Sequence, residues 1–134
     1  MRKHERVPET IEVVALVRWE AGRLLLVRAD YQTAFYLPGG KIDPGETHEQ
    51  ALHREVREEL GTGVRDVRFL DRYVADAVGQ GEGVRVGLNC YTGELVGTPA
   101  PAAEIAELAW MSRAEYLDQR ATAPAIVALY ADLG

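Results

Sequence analysis

The segment from Gly39 to Thr62, GGKIDPGETHEQALHREVREELGT, constrains the fold more than any other part of the chain. Pro38 with Gly39 and Gly40, and then Asp43-Pro44-Gly45, interrupt any regular element and permit unusual backbone angles. Thr47 and Gln50 follow at the spacing of a capping box, and Gly61 stands where a C-terminal cap belongs, so one helix is predicted from about Thr47 to Leu60. Leu52, Val56 and Leu60 recur every four residues and share one side of that helix. That side has to pack on a sheet, with the glycine loop beside it.

Sheet-forming segments lie on both sides. TIEVVALVR (Thr10 to Arg18) and RLLLVR (Arg23 to Arg28) read as a strand, a tight turn at Glu20-Ala21-Gly22 and a second strand. Beyond Gly63, VRDVRFLDRYVADAV has strand composition, and GQGEG at 79–83 is a turn or mobile loop. In VRVGLNCYTGEL, Val84, Val86, Leu88 and Cys90 alternate inward. GTPAPAA (97–103) is too rich in proline and small residues for an element, whereas EIAELAWMS gives a short strand. Ser112 and Glu115 form a second capping-box pair, and a last helix starts near Pro124. Strands, a helix, more strands and then helices predict an α/β (α+β) sandwich rather than a Rossmann array. At 134 residues, with no repeat or linker, the expected organisation is a single domain over 1–134.

Composition removes several function classes. Fifteen Lys and Arg against 21 Asp and Glu leave a net charge of −6, which opposes duplex nucleic acid and anionic lipid surfaces. The lone Cys90 can make no intramolecular disulfide and fits a reducing, cytoplasmic location. Apolar runs such as Val13 to Val17 are too short to cross a bilayer, and the start MRKHERVPETIE has no apolar signal segment. Neither a membrane nor a nucleic acid is expected as a partner.

Chemistry concentrates on the predicted helix. At about 100° per residue, Glu55, Glu58 and Glu59 fall within an arc of roughly 100°. Like charges at such spacing destabilise a helix, the more so beside its buried side, unless a cation compensates. Hard divalent ions take carboxylate and carbonyl oxygens together with substrate phosphates, and a glycine loop can bring backbone groups to the same place. The alternative is a solvated face on which Arg54 and Arg57 make surface pairs.

The whole stretch resembles the signature of the Nudix hydrolase superfamily: Gly, five residues, Glu, seven residues, Arg-Glu-aliphatic, any, Glu-Glu, any, Gly, aliphatic. Gly40, Glu46, Arg54, Glu55, Val56, Glu58, Glu59 and Gly61 occupy its positions over 23 residues, and Thr62 departs from it at the final aliphatic place. The resemblance implies a mixed sheet sandwiched between helices, with Mg²⁺ (or Mn²⁺) held by Glu55, Glu58, Glu59 and the carbonyl of Gly40. It implies hydrolysis of a pyrophosphate linkage in a small nucleotide-derived substrate. Arg54 would orient a carboxylate with Glu46 as partner, and Lys41 would contact phosphate. Glu58 or Glu104 would serve as general base, with Glu107 a weaker substitute.

YLPGGKIDPGE and EIAELAW are most similar to short MutT-like members, which implies nucleoside triphosphates as substrates and release of a monophosphate and pyrophosphate. Where MutT places an asparagine that reads oxidised guanine, this chain has Thr122, whose hydroxyl discriminates less well, so strict 8-oxo-dGTP specificity is not expected. Arg28 is a further contact for phosphate or nucleoside. ADP-ribose or nucleotide-sugar hydrolysis, a prenyl diphosphate isomerase and a non-catalytic nucleotide sensor are the alternatives. The resemblance also allows a homodimer, for which no exposed apolar stripe is legible. Tyr36 borders the glycine loop; Trp19 and Trp110 suit stacking or core packing, Cys90 suits the core, and His4, His48 and His53 receive no role.

Overall fold

Five successive apolar residues, Val13 to Val17, do not suit a strand with one wet face, and in the computed structural model they lie in a strand covered on both sides. The structure describes residues 10–77 and 82–134, so His4 and most of the loop at 79–83 lie outside the described residues. In chain order the elements are β1 (Thr10–Val17), β2 (Trp19–Glu20), β3 (Arg23–Ala29), β4 (Gly39–Lys41) and α1 (His48–Leu60). They are followed by β5 (Val64–Asp76), β6 (Arg85–Leu95), β7 (Ile105–Met111), α2 (Arg113–Leu117) and α3 (Pro124–Leu133).

The expected mixed sheet is present, in the order β4-β1-β6-β5, with β1 and β6 parallel. A second sheet, β2-β3-β7, is antiparallel throughout. The strand, tight turn and strand expected near the start are present, with β2 inserted ahead of the turn. β1 and β3 belong to different sheets, and the hairpin partner of β3 is the two-residue β2. Ala21 (φ 51°) and Gly22 (φ 75°) are both left-handed, as a two-residue turn matching strand twist requires.

Alternate side chains of both sheets feed two apolar clusters. Val14, Leu16, Leu25 and Val27 pack against Leu52, Val56 and Leu60 of α1. Ala15, Val17, Leu24 and Leu26 pack with Cys90 against Tyr116 of α2 and Leu129 and Tyr130 of α3. The sheets are therefore sandwiched between α1 on one side and α2 with α3 on the other. Trp19 meets Tyr130 edge-on and Trp110 packs against the α1 cluster, so both tryptophans serve the core.

β6 differs from simple alternation. Val84 precedes it, and Gly87, Leu88, Asn89 and Cys90 are buried in succession: Leu88 and Cys90 join an apolar cluster, while the Asn89 side chain donates to Glu12 and to the carbonyls of Val13 and Gly87. β5 is the sheet edge and exposes Phe69, Leu70 and Val74, apolar surface that the sequence reading had not placed. Among the described residues, no helix is long and apolar enough to cross a membrane.

Candidate active site

Local rules place the helix that carries the glutamates. The Thr47 side chain accepts from the Gln50 N–H, the Gln50 side chain accepts from the Thr47 N–H, and Gly61 closes α1 in a left-handed conformation with φ 67°. With Ala51, Leu52, Val56 and Leu60 buried, Glu55 and Glu59 fall at the border of the packed side and Glu58 falls further out. Glu55 keeps 15% of its side chain exposed and Glu58 keeps 54%. The predicted patch of three is thus divided. Glu55 and Glu59 line a cavity of about 410 Å³, and Glu58 does not.

Glu104, just ahead of β7, is the third glutamate of the cavity, which Asp76 also lines. Gly39, Gly40 and Lys41 border the same end, while Val13, Leu37, Leu88 and Ile126 make apolar walls elsewhere. The glycines are required by close approach. A Cβ on Gly40 would lie 2.7 Å from the Glu55 carboxylate, and the Gly39 N–H donates to Glu59 Oε1 at 2.7 Å.

Arg54 organises the outer side. Its Nε and Nη2 donate to the two oxygens of Glu46 at 2.8 and 2.9 Å, Nη1 donates to Glu55 at 2.8 Å, and Nη2 donates to the Lys41 carbonyl at 3.1 Å. Glu58 approaches Nη1 at 3.5 Å. This two-pronged bond to Arg54, with the Asp43 N–H, holds the Glu46 carboxyl down at about 2. The guanidinium ties the loop to the helix and fixes the Glu55 carboxylate. Arg54→Ala should therefore lower any activity of this site by about 10- to 100-fold, since groups that orient a metal ligand carry effects of that size. Steady-state kinetics of the purified variant checks this.

Burial dominates the electrostatics of the other two. It pushes Glu55 upward against the pull of Arg54. It pushes Glu59 up to about 8; the Gly39 amide opposes this, and repulsion from Glu55, Glu104 and Glu58 adds to it. Among the described residues no three His, Cys, Asp or Glu side chains are grouped as metal ligands; Arg54 engages Glu55 and the Gly39 amide engages Glu59. The donor set nevertheless fits a hard divalent cation: only oxygens, an excess of negative charge, and a glycine cradle that a Cβ would fill.

A stability consequence follows for the metal-free protein. Glu59 binds its proton more tightly folded than unfolded, so its contribution is complete below the ordinary carboxylate range and is lost as pH rises toward about 8. Glu46, at about 2, titrates below that window and does not offset the loss. Thermal melts in chelator should fall from pH 5 to pH 8, and added Mg²⁺ should restore more at pH 8 than at pH 5. A flat profile would contradict the half-buried, crowded setting of Glu59.

Other predicted contacts are placed elsewhere. Arg28 does not border the cavity; it donates to Glu107, its cross-strand neighbour, at 3.1 and 2.6 Å, and to the carbonyls of Ala29 and Gln32. Glu107, held in that pair, does not line the cavity either. Thr122 is half-buried and does not line the cavity, whereas Ala123 to Ile126 do. His48, given no role from the sequence, is half-buried and its Nδ1 lies 3.0 Å from the Tyr91 hydroxyl. Tyr36 lines the cavity as its position suggested, and Tyr31, Gln32 and Asp76 line it without any signal in the sequence, because tertiary packing alone brings them there.

The model of the NUDIX domain matches residues 8–132. This chain belongs to the NUDIX family. A relative named 8-oxo-dGTP diphosphatase, from Haemophilus influenzae, is 38% identical over 68 residues, 47% of this chain and 50% of that protein. One named RNA pyrophosphohydrolase, from Photorhabdus laumondii, is 47% identical over 49 residues, 37% of this chain and 28% of that protein. The chain thus matches half the length or less of these curated relatives. The solved MutT NUDIX hydrolase from Burkholderia pseudomallei superposes with a TM-score of 0.72 at 26% identity, covering 90% of this chain and 96% of that one. Within the NUDIX family the chain is MutT-like, and the sandwich described above is the NUDIX fold.

Proposed function

We propose that this NUDIX protein hydrolyses a pyrophosphate bond in a small nucleotide, most naturally a nucleoside triphosphate, giving a nucleoside monophosphate and pyrophosphate. One observation carries the reading. Glu55, Glu59 and Glu104 meet Gly39, Gly40 and Lys41 at one end of a cavity whose other walls are largely apolar. A polyphosphate suits the first end and a nucleobase the second.

Glu55 and Glu59, with the carbonyl of Gly40 and with Glu58 at the rim, are the residues to hold Mg²⁺ or Mn²⁺. When bound, such an ion neutralises phosphate charge and makes water a usable nucleophile. Arg54 fixes the Glu55 carboxylate, and the Gly39 amide fixes that of Glu59. Lys41 borders the cavity and supplies a positive charge to phosphate oxygens. Glu104 is favoured over Glu58 as the acceptor of the water proton, because Glu104 lines the cavity and Glu58 faces outward. Thr122 stands off the cavity, which supports a site without strict preference for oxidised guanine. The buried Cys90 needs no oxidising compartment, in keeping with a cytoplasmic place.

The test is turnover across nucleoside triphosphates, 8-oxo-dGTP, ADP-ribose, nucleotide sugars and 5′-triphosphorylated RNA with Mg²⁺ or Mn²⁺. Turnover of nucleoside triphosphates above the other classes supports the reading. Preference for ADP-ribose or RNA, or nucleotide binding without turnover, contradicts it.

A further inference from the structure

The cavity depends on Glu104, yet that residue follows a segment, Gly97 to Ala103, with no regular element. Pro99 and Pro101 have no N–H, so few amides in the segment can anchor it. Ala100 and Ala102 direct theirs at the end of α1, where helix carbonyls lack partners, and Val96 and Gly97 direct theirs at the residues just past it. The Val96 N–H donates to the Gly63 carbonyl, Ala100 to Leu60 and Ala102 to Glu59, each at 3.0 Å. A fourth bond differs in kind: the Gly97 N–H donates to Thr62 Oγ1 at 2.8 Å. Three of these bonds form whatever the side chains are; the fourth needs a hydroxyl at 62. Thr62 is only 7% exposed, and a Cβ on Gly97 would lie 3.0 Å from its Oγ1, so both partners are closely fitted.

Past this strap the chain makes a demanding turn. Ala103 has φ 52°, a conformation that residues other than glycine rarely adopt and that persists only where the surroundings over-determine it. The Glu104 carbonyl then accepts from the Asp30 N–H at 2.9 Å. Glu104 is thus held between two anchored points, and one strap bond ends on the carbonyl of Glu59 itself.

We propose that Thr62 is a positioning residue, whose hydroxyl locks the 96–102 strap onto the end of α1 and thereby sets Glu104 against Glu55 and Glu59. An aliphatic side chain at 62 would leave the Gly97 N–H without its acceptor. The inference rests on the proposed hydrolysis and on Glu104 working in it.

A double-mutant cycle with Thr62→Val, Thr62→Ser and Glu104→Gln tests it, together with hydrogen exchange of the Gly97, Ala100 and Ala102 amides. Thr62→Val should lower kcat about five- to tenfold, the loss expected of one hydrogen bond, with KM changed by less than about twofold. Thr62→Ser should restore kcat to within about twofold, and Thr62→Val should cost nothing further in the Glu104→Gln background. The three amides should exchange about tenfold faster in Thr62→Val and at the original rate in Thr62→Ser. Gly97→Ala presses on the same contact from the other side and should reproduce the pattern if Thr62→Val folds too poorly to assay. An undiminished loss in the Glu104→Gln background, or unchanged exchange, overturns the positioning role. If Glu104→Gln is impaired and Thr62→Val is not, only the role of Thr62 falls; if Glu104→Gln turns over like the original protein, the reading of Glu104 falls and takes the inference with it.

Discussion

Glu59→Gln is expected to lower kcat on the order of 10³-fold while making the metal-free protein at least as stable at pH 8. The two effects have opposite signs for one reason. Glu59 is half-buried beside Glu55 and Glu104, and its charge is costly to the folded chain when no cation compensates it. A glutamine keeps an oxygen for the Gly39 N–H, which donates at 2.7 Å in the original protein, and removes the charge. Stability is therefore kept or raised as the capacity to hold a divalent ion is lost. Kinetics and thermal melts in chelator check both halves. Activity within about tenfold of the original would remove Glu59 from the reaction.

Gly39→Ala should have the largest effect on the fold. Gly39 pairs with Ala15 across β4 and β1, and its φ is 150°. A Cβ there would run into the Val14 carbonyl oxygen and stand 2.8 Å from the Ala15 Cα, so backbone must move in a strand that both apolar clusters share. A loss of about 4 kcal/mol or more is expected, at the upper end for single substitutions. Gly45→Ala is the fitting control. Gly45 also has a left-handed φ, 84°, but a Cβ there meets nothing within 4 Å, so the loss should be about 1–2 kcal/mol. Urea unfolding of both variants gives the comparison, and equal losses would mean that β4 does not press on β1 as described.

Legibility in the sequence followed the range of the interactions. α1 and α2 were readable because their caps are local: Thr47 with Gln50, Gly61, and Ser112 with Glu115 all act within a few residues. The Arg54–Glu46 pair was reachable because both ends fall inside one motif. What failed depended on distant chain. Arg28 is claimed by Glu107, 79 positions away, once β3 and β7 pair. The division of the three glutamates between cavity and rim depends on where the sheet presses on α1, which periodicity places only to within an arc. Thr62 shows in the sequence only as a departure at an aliphatic place, because its partner, Gly97, lies 35 positions on.

The most direct measurement is product analysis of one nucleoside triphosphate incubated with the protein, with and without Mg²⁺. The account predicts monophosphate and pyrophosphate appearing in equal amounts, only with the divalent ion, and neither with Glu59→Gln. Diphosphate with inorganic phosphate, or turnover indifferent to chelator, would contradict it.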